Sequence, residues 1–257
     1  MQTRSHPPLT VLHPGDQFPP LTHAWPPDSA APGLLAAGGA LDTPTLLNAY
    51  SSIIFPWFSE GEPILWWSPD PRMVLDVASF RLHRSFRKTL QRFRASNDCE
   101  IRVDTAFDRV IAACSNTPRA GQSGTWIGPE IISAYQDLHA AGHAHSVETW
   151  IQGRLVAGLY CVAIGRAVFG ESMFTEISDG SKIALAALVA FCRQHGIPLV
   201  DCQQVTRHLA SLGAAPVSRA DFAERVRQHT QEPAPAWRFQ PVYWNTLISP
   251  SPTGDAS

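Results

Sequence analysis

SVETWIQGRLVAGLYCVAIGRAVFGESMF, residues 146–174, is the stretch that decides the fold. Its apolar residues follow a period of two, which is typical of β-strands, and the glycine–arginine pairs at 153–154 and 165–166 suit short hairpin turns. We therefore expect three antiparallel strands. A largely apolar helix at 182–195 and a short buried strand, LVDCQ at 199–203, follow them. This order predicts an α/β (α+β) protein with a mixed sheet packed by helices.

Three polar residues interrupt the core strands: Glu171 in FGESMF, and Asp201 and Gln203 in LVDCQ. A carboxylate in an apolar strand must reach water or find partners, because burying a bare charge is costly. Asp201 and Gln203 are two positions apart, so on a strand both side chains point to the same face. They are either hydrogen-bonded core residues or a site. As a site, paired acid and amide groups suit the holding of an amine and the movement of its proton, which means group transfer to nitrogen.

A basic helix is predicted at 84–96, where Phe86, Leu90 and Phe93 form one apolar face. Its other faces are strongly basic, with six Lys or Arg residues and no acid between Arg81 and Arg94. The chain as a whole has a formal net charge of −2, so the basic character is local. The helix is either a solvated surface or an electrostatic footprint for a polyanion.

The composition before residue 78 differs from the rest of the chain. Residues 53–72, IIFPWFSEGEPILWWSPDPR, contain four prolines, three tryptophans and two phenylalanines, so turns and short strands are expected there rather than a long helix. We assign 1–77 to a small N-terminal domain, 78–245 to the main domain and 246–257 to a disordered tail. The aromatic stretch either forms a small core of its own or holds a ligand.

The totals favour a globular protein of a reducing compartment. Hydrophobic residues make up 44% of the chain, and the five cysteines form no CxxC pair. An odd set of thiols is typical of cytosolic proteins and predicts neither a disulfide framework nor a zinc ribbon. The first residues lack an apolar leader and no run of 18 apolar residues exists, so we expect a cytoplasmic protein without a membrane segment.

Two other motifs suggest different chemistry. His139, His143, His145 and Glu148 would suit zinc, but the preceding helix is expected to end at Gly142, so the same-face spacing of a zinc helix is not secured. Hydrogen-bonding histidines at a helix-to-strand junction are the preferred interpretation, and no metal is expected. The segment ISDGSKIAL lacks the run of glycines that would cradle a diphosphate, and Asp179 would repel one, which argues against a CoA-dependent acyltransferase.

A family resemblance emerges from the motifs taken in order. Eight strings between about Phe18 and Val242 carry it: GLLAAGGAL, FPWFSEGEPILWWSPDPR, GTWIGPEIISAYQDLH, GHAHSVETW, FGESMF, SKIAL, LVDCQ and HLASLGA. In this order they resemble the bacterial leucyl/phenylalanyl-tRNA–protein transferases. Any one of the shared strings is weak evidence, but the ordered set is specific.

The resemblance implies both a fold and a reaction. It implies a small N-terminal domain followed by a domain of the acetyltransferase (GNAT) type that acts without CoA or another cofactor. Such an enzyme takes leucine or phenylalanine, and less well methionine, from aminoacyl-tRNA. It joins that residue to the N-terminal α-amine of proteins that begin with Arg or Lys, which marks them for degradation by the N-end rule. A monomer is expected.

The resemblance also assigns roles to individual residues. Asp201 would orient Gln203 by a charge-assisted hydrogen bond, and Gln203 would hold the incoming α-amine, either by positioning alone or as a proton acceptor. Glu171 would fix an amino group of the donor or the basic first residue of the acceptor. The other matches are a pocket for the donor side chain and terminal adenosine (Trp57, Trp126, Tyr135 and Met173) and a tRNA-backbone patch (Arg84, Arg87, Lys88 and Arg92).

Some positions depart from the family pattern, and some rival functions remain open. Ile53 and Gly180 stand where the family usually has glycine and alanine, and Ala40 stands where it usually has an acid; these changes concern loop geometry and donor preference. A non-catalytic RNA-binding protein would need the basic helix but not the polar trio. A peptidoglycan-type aminoacyl transferase usually needs a duplicated domain, for which the chain is too short, and a CoA N-acetyltransferase would bind acetyl-CoA.

Overall fold

The computed structural model describes residues 7–117 and 126–248 of the 257-residue chain. In this part of the chain, eleven strands form two sheets. The strands are β1 (Thr10–Leu12), β2 (Leu34–Gly38), β3 (Phe55–Pro56), β4 (Leu65–Trp67), β5 (Arg72–Asp76), β6 (Cys99–Val103), β7 (Ala144–Ile151), β8 (Arg154–Ile164), β9 (Ala167–Thr175), β10 (Leu199–Gln203) and β11 (Ala215–Val217).

Seven α-helices lie in the described residues, together with three short 3-10 helices. The helices predicted from apolar spacing are present, and their ends fall within a few residues of the predicted ones. The α-helices are α1 (Thr43–Ser51), α2 (Arg84–Ala95), α3 (Phe107–Ser115), α4 (Pro129–Ala140), α5 (Gly180–His195), α6 (Arg207–Ser211) and α7 (Arg219–His229). The 3-10 helices are Leu21–His23, Val77–Ser79 and Pro241–Thr246.

The seven-stranded sheet has the order β11-β5-β10-β9-β8-β7-β6. Its centre is the antiparallel meander β7, β8 and β9 that residues 146–174 predicted. The first hairpin turns at Gln152 and Gly153, both with positive φ, which is the geometry of a tight two-residue turn. Helix α5 then crosses the sheet, and β10 pairs parallel with β9. The α/β class with a mixed sheet packed by helices is confirmed.

Helices cover both faces of this sheet and create two hydrophobic cores. The first core lies under α3, α4 and α7 and continues into the N-terminal sheet, with Leu46, Tyr50 and Trp66 fully buried. The second core lies under α2, α5 and the 3-10 helix at 241–246. Because alternate residues of one strand face opposite cores, each strand can present different chemistry on its two sides.

The N-terminal segment forms its own four-stranded sheet, in the order β1-β2-β4-β3. As expected for 53–72, the aromatic stretch consists of turns and short strands, and Trp66 is buried with its Nε1 donating to Gly38 O at 2.8 Å. Helix α1 begins after Asp42, whose side chain caps the helix by accepting from Thr45 N. This unit packs its helix and its aromatic residues against the first core.

Two of the expected domain limits shift. Strand β5 (Arg72–Asp76) pairs with β10 and β11, so it belongs to the large sheet and the limit at residue 77 lies one strand too late. At the other end, Thr246 ends a 3-10 helix, and Leu247 and Ile248 are buried in the second core, so packed structure continues three residues into the predicted tail. The rest of that tail, 249–257, lies outside the described residues.

Two properties of the described residues concern membrane insertion and cysteine chemistry. None of the helices within 7–117 and 126–248 is both long and apolar enough to cross a membrane. All five cysteines are free thiols, three of them buried. Burial raises the pKa of Cys202 to about 12, and it raises the pKa of Cys161 and Cys192 as well, so these thiols stay protonated at neutral pH.

Candidate active site

A break in strand β9 presents Glu171. Gly170 and Ser172 pair with consecutive residues of β8, so Glu171 is the extra residue of a β-bulge. A bulged residue is freed from the ladder and re-aims its side chain. Glu171 therefore leaves the row of core side chains and turns its carboxylate toward α1 and α4, where Tyr50 and Tyr135 bind it.

A second break presents Gln203 at the end of β10. Asp201 and Gln203 pair with consecutive residues of β5, which makes Cys202 the extra residue of another bulge. Gln203 has φ +58, in the left-handed region that costs a non-glycine residue about 1 kcal/mol or more. Strands β9 and β10, both fully described, pair only through Val200 with Val168 and Asp201 with Phe169. Glu171 and Gln203 lie in the part of these two strands beyond those pairs.

Three side chains hold the Glu171 carboxylate. Tyr50 Oη donates to Oε1 at 2.7 Å, Gln203 Nε2 donates to the same oxygen at 2.9 Å, and Tyr135 Oη lies 3.5 Å from Oε2. Glu171 is only half-buried as a residue, but its carboxylate is the part that these groups enclose. Burial raises its pKa to about 7, although the bonds from Tyr50 and Gln203 lower it. The carboxylate can therefore both gain and lose a proton near neutral pH.

The two tyrosines act as neutral donors. Both are fully buried, their hydroxyl groups are hydrogen-bonded to each other, and burial next to Glu171 raises the pKa of each phenol well above its usual value. Tyr50 donates its one hydroxyl hydrogen to Glu171, and the Tyr135 hydroxyl lies within reach of both the Tyr50 oxygen and the Glu171 carboxylate. Tyr50 comes from α1 of the N-terminal segment, so both parts of the chain build this site.

Asp201 holds the backbone of Gln203. Its Oδ1 accepts the Gln203 backbone N–H at 2.8 Å. The family resemblance implied a charge-assisted bond by which Asp201 orients Gln203; the bond in the structure runs to the backbone N–H of Gln203 and not to its side-chain amide. The carboxylate itself is fully buried and forms a two-pronged ion pair with Arg72. This pairing explains how an acid is tolerated in a core strand.

An apolar cavity of about 260 Å³ opens beside the unpaired ends of β9 and β10, on the side of the sheet that α5 covers. Its walls are mainly aliphatic, with Leu185 and Leu188 from α5 and Leu159 and Met173 from the meander. Glu171 and Asp201 also line it, so the cavity lies next to the acid–amide pair. Its size suits a medium-sized apolar side chain.

The structure separates the four residues assigned to the pocket. Met173 lines the cavity. Tyr135 lies on the other face of the sheet and binds Glu171 instead. Trp57 packs edge-on against Trp67 with ring centroids 5.5 Å apart, and its backbone oxygen accepts the Trp67 indole N–H. Trp126 is half-buried against the first core.

The basic surface has the predicted form. Phe86, Leu90 and Phe93 of α2 are buried in the second core. The four predicted contact residues of this helix are exposed, and none of them forms an ion pair with a described residue. They are Arg84, Arg87, Lys88 and Arg92.

The histidine-rich junction is hydrogen-bonded. His139 Nδ1 contacts Ala144 O at 2.7 Å, and His145 Nδ1 contacts Asp104 Oδ2 at 2.7 Å. Glu148 is buried and accepts the backbone N–H groups of Thr105 and Ala106. Within 7–117 and 126–248, no group of three or more metal-binding side chains is placed to hold an ion.

Two important residues escaped the sequence interpretation. Arg72 begins an apolar strand, RMVLD. A charged residue in an apolar strand is the pattern that marks Glu171, and the same pattern marks Arg72. Tyr50 carries no such signal, because a tyrosine near the end of an amphipathic helix is ordinarily a core residue.

Taken together, the acid–amide pair, the interrupted sheet and the apolar cavity define a group-transfer enzyme.

Comparison with known proteins gives the particular family. A family model described as "Leucyl/phenylalanyl-tRNA protein transferase" matches residues 74–227, and one for the N-terminal domain of the same family matches residues 39–70. The chain belongs to the leucyl/phenylalanyl-tRNA–protein transferase family and is an aminoacyltransferase. The family name gives aminoacyl-tRNA as the donor and protein as the acceptor.

Relatives of that name match nearly the whole chain. The leucyl/phenylalanyl-tRNA–protein transferase of Polaromonas sp. strain JS666 is 60% identical over 242 residues, which are 94% of this chain and 95% of the relative. That of Leptothrix cholodnii is 58% identical over 231 residues, which are 90% of each chain. That of Bordetella petrii is 53% identical over 249 residues, which are 95% of this chain and 97% of the relative.

Solved structures resemble the chain more loosely. FemX aligns with a TM-score of 0.43 and 11% identity, over 68% of this chain and 66% of its own. A GCN5-related N-acetyltransferase from Kribbella flavida aligns with a TM-score of 0.33 and 13% identity, over 58% of this chain and 55% of its own. Likenesses at this level assign no function.

Proposed function

We propose that this enzyme transfers leucine or phenylalanine, and less well methionine, from aminoacyl-tRNA to the N-terminal α-amine of proteins that begin with Arg or Lys, as a step in N-end rule degradation. The observation that carries the proposal is the Glu171–Gln203 pair beside the apolar cavity, in a chain of this family. No CoA or other cofactor takes part, and the enzyme acts as a cytoplasmic monomer.

In this proposal the cavity receives the donor side chain. Its aliphatic walls favour leucine, phenylalanine and methionine, which are apolar and unbranched at Cβ. A β-branched chain such as valine carries its bulk at Cβ and not at the end of the side chain, and is disfavoured by shape. Trp57 and Trp126 provide aromatic surfaces for the terminal adenosine, which proteins commonly hold by stacking.

The reaction converts an ester into an amide. The neutral α-amine attacks the ester carbonyl, the bond from that carbon to the ribose oxygen breaks, and the amine gives up a proton while the ribose oxygen gains one. Because Gln203 donates through Nε2 to Glu171, its Oε1 is free to accept an N–H of the incoming amine. An aminoacyl ester is already activated, so orientation supplies much of the rate.

Glu171 is the better proton acceptor in this site. An amide such as that of Gln203 is a very weak base, whereas burial raises the pKa of Glu171 to about 7. A base is most effective when its pKa lies near the working pH. Gln203 therefore positions the amine and Glu171 receives its proton, in the arrangement that Tyr50, Tyr135 and Asp201 support.

The basic face of α2 carries the body of the tRNA. Its exposed cations, which pair with no carboxylate among the described residues, are suited to phosphates. Phosphates are present in every tRNA, so donors that differ in nucleotide sequence serve equally well. Asp179, at the start of α5, places a carboxylate where a CoA diphosphate would otherwise bind a helix N-terminus, and it pairs with Lys182 at 2.7 Å.

The test is transfer of radiolabelled Leu or Phe from charged tRNA to a peptide that begins with Arg. The matched peptides are one whose N-terminus is acetylated and one that begins with Glu. We expect label on the free Arg peptide alone, and loss of at least about 10²-fold in rate for Gln203→Ala. Gln204→Ala is the matched control, since Gln204 is an exposed neighbouring amide.

Other outcomes favour the rival functions. Tight tRNA binding without transfer from either donor, unchanged by Gln203→Ala, would favour a non-catalytic RNA-binding protein. Transfer from acetyl-CoA would favour a CoA N-acetyltransferase. Transfer to a cell-wall precursor in place of the peptide would favour the peptidoglycan-type activity.

A further inference from the structure

Arg72 is the side chain that holds Asp201 in place. Its Nε and Nη2 donate to the two carboxylate oxygens of Asp201 at 2.9 Å and 2.7 Å. The side chains are 1% and 0% exposed, so the pair is removed from water. Charge-assisted bonds with two parallel prongs fix both distance and orientation, which a single contact does not.

Aromatic rings hold the guanidinium group from two segments of the chain. Its Cζ lies 4.6 Å from the centre of the Phe55 ring on β3 and 5.1 Å from that of Phe222 on α7. Nη1 also donates to Ile53 O at 3.3 Å, and Ile53 has a positive φ of 57°. The N-terminal sheet, the large sheet and α7 therefore meet at this one group, which has little freedom to move.

Asp201 passes this constraint to Gln203. The same oxygen that accepts from Arg72 Nε also accepts the backbone N–H of Gln203, in the bulge that gives Gln203 its left-handed backbone. The Gln203 side chain then reaches Glu171. Without a fixed carboxylate at Asp201, the bulge loses the bond that offsets its backbone strain.

We propose that Arg72 is a positioning residue of the transfer reaction, which sets the Gln203 amide through Asp201 and couples it to the docking of the N-terminal segment. The inference rests on the proposed role of Gln203. Arg72 touches no reacting atom in this scheme, so its removal slows turnover while the donor still binds.

Lysine cannot replace arginine here. A lysine keeps the positive charge but offers a point charge in place of a planar fork, so it cannot make both parallel bonds to Asp201 or stack a planar group on the Phe55 and Phe222 rings. Arg72→Lys therefore keeps the positive charge at this position and removes only the planar geometry of the guanidinium group. Arg219→Lys is the matched control, because Arg219 is a half-buried arginine near this junction that donates to Ser68 O at 2.9 Å and makes no contact with Asp201.

The experiment is a double-mutant cycle in the peptide transfer assay, with kcat, the KM for charged tRNA and the thermal unfolding midpoint measured for each variant. We expect Arg72→Lys to lower kcat about 10²-fold, which is the cost of a small misplacement, and to leave the KM within about threefold. We expect Arg72→Lys/Gln203→Ala to be no slower than Gln203→Ala alone. Arg219→Lys should keep the wild-type kcat.

The outcomes separate the inference from the proposed function. A wild-type kcat for Arg72→Lys, or losses that multiply in the double variant, would overturn the positioning role while leaving Gln203 in the reaction. A wild-type kcat for Gln203→Ala would remove the proposed role of Gln203 and the inference with it. If Arg72→Lys does not fold, Phe222→Leu takes its place, since it removes one ring and keeps the ion pair. It should lower kcat in the wild-type background and leave it unchanged in Gln203→Ala.

Discussion

Gln203 Nε2 donates to Glu171 Oε1 across 2.9 Å, and this bond joins two neighbouring strands beyond the point where their pairing ends. Each residue reaches that position through a β-bulge in its own strand. The side-chain bond therefore keeps the acid and the amide together where the backbones of β9 and β10 no longer pair.

The activity of the enzyme should rise with pH through the ionisation of Glu171. Burial raises its pKa to about 7, and the base must be deprotonated to accept a proton. We expect kcat to increase from pH 5.5 to 8 with a midpoint near that value. In Glu171→Gln this limb should vanish, leaving a low rate that follows only the α-amine of the acceptor, whose pKa is near 8. An unchanged pH profile in Glu171→Gln would assign the limb to another group.

Tyr50→Phe should move that midpoint upward. The Tyr50 hydroxyl stabilises the ionised carboxylate and lowers its pKa, so its loss raises the pKa of Glu171, by about one unit if the bond is worth 1–2 kcal/mol. The pH dependence of kcat measures this shift. Tyr135→Phe is the comparison and should shift the midpoint less, because its hydroxyl lies 3.5 Å from the carboxylate. Equal midpoints in all three proteins would contradict the role of Tyr50.

Glu171 should also make folding stability depend on pH. Its pKa is about 7 in the folded chain against an ordinary value of 4.5, so between these values the folded state binds the proton more tightly than the unfolded state. The free energy of unfolding should therefore fall as the pH rises from about 4.5 to 7, by at most about 3 kcal/mol.

Urea unfolding from pH 4.5 to 8 measures this dependence. Glu171→Gln should lack the decline, and the exposed neighbour Glu176 provides the control variant Glu176→Gln, which should retain it. Parallel curves for wild type and Glu171→Gln would show that the acid has an ordinary pKa.

Leu188→Phe should change which donor is used. Leu188 is buried on α5 and lines the cavity, so a larger ring there removes space that the donor side chain needs. We expect kcat/KM to fall at least about tenfold more for Phe-tRNA than for Leu-tRNA, in the range that one misfitting group costs in an apolar pocket. Leu90→Phe, in the same core but away from the cavity, controls for overpacking. An equal fall in kcat/KM for the two donors would show that the donor side chain does not occupy this cavity.

Removing cations from α2 should weaken the tRNA interaction and its dependence on salt. For Arg87→Ala/Lys88→Ala we expect a higher KM for charged tRNA, with the slope of log affinity against log salt reduced by about one for each phosphate that is no longer neutralised. An aminoacyl-adenosine donor, which lacks the tRNA body, should react at the wild-type rate. Arg227→Ala on α7 removes an exposed cation from another surface and should change neither value.

Much of this architecture could be predicted without coordinates. The hairpin turns, the apolar helix and the short strand LVDCQ are local features, and each is where its pattern predicts it. The limits at residues 77 and 246 were less accurate, because strand β5 and residues Leu247 and Ile248 join elements that are distant in the sequence. The proline and aromatic content of a segment predicts turns and short strands, but it does not predict which sheet a strand joins.

The polar residues of the site also divide into those that a local sequence pattern predicts and those that depend on distant segments. Glu171, Asp201 and Gln203 stood out because each is polar within an apolar strand, a property that a single segment reveals. Their partners did not stand out as clearly: Tyr50 is 121 positions from Glu171, and Arg72 is 129 positions from Asp201. The assignment of Tyr135 to the pocket also depended on which face of the sheet its helix covers, and the structure puts it on the face opposite the cavity.

The sequence by itself determined the order of helices and strands, the unmixed basic face of α2, the polar trio and the family. Only the tertiary structure decided that two bulges aim Glu171 and Gln203 at each other, that Gln203 adopts a left-handed backbone, and that Arg72 and Tyr50 complete the site. The physical reason is that the periodicity of a segment shows only whether each side chain faces water or a core. Pairing of buried polar groups depends on which distant segments the fold brings within hydrogen-bonding distance.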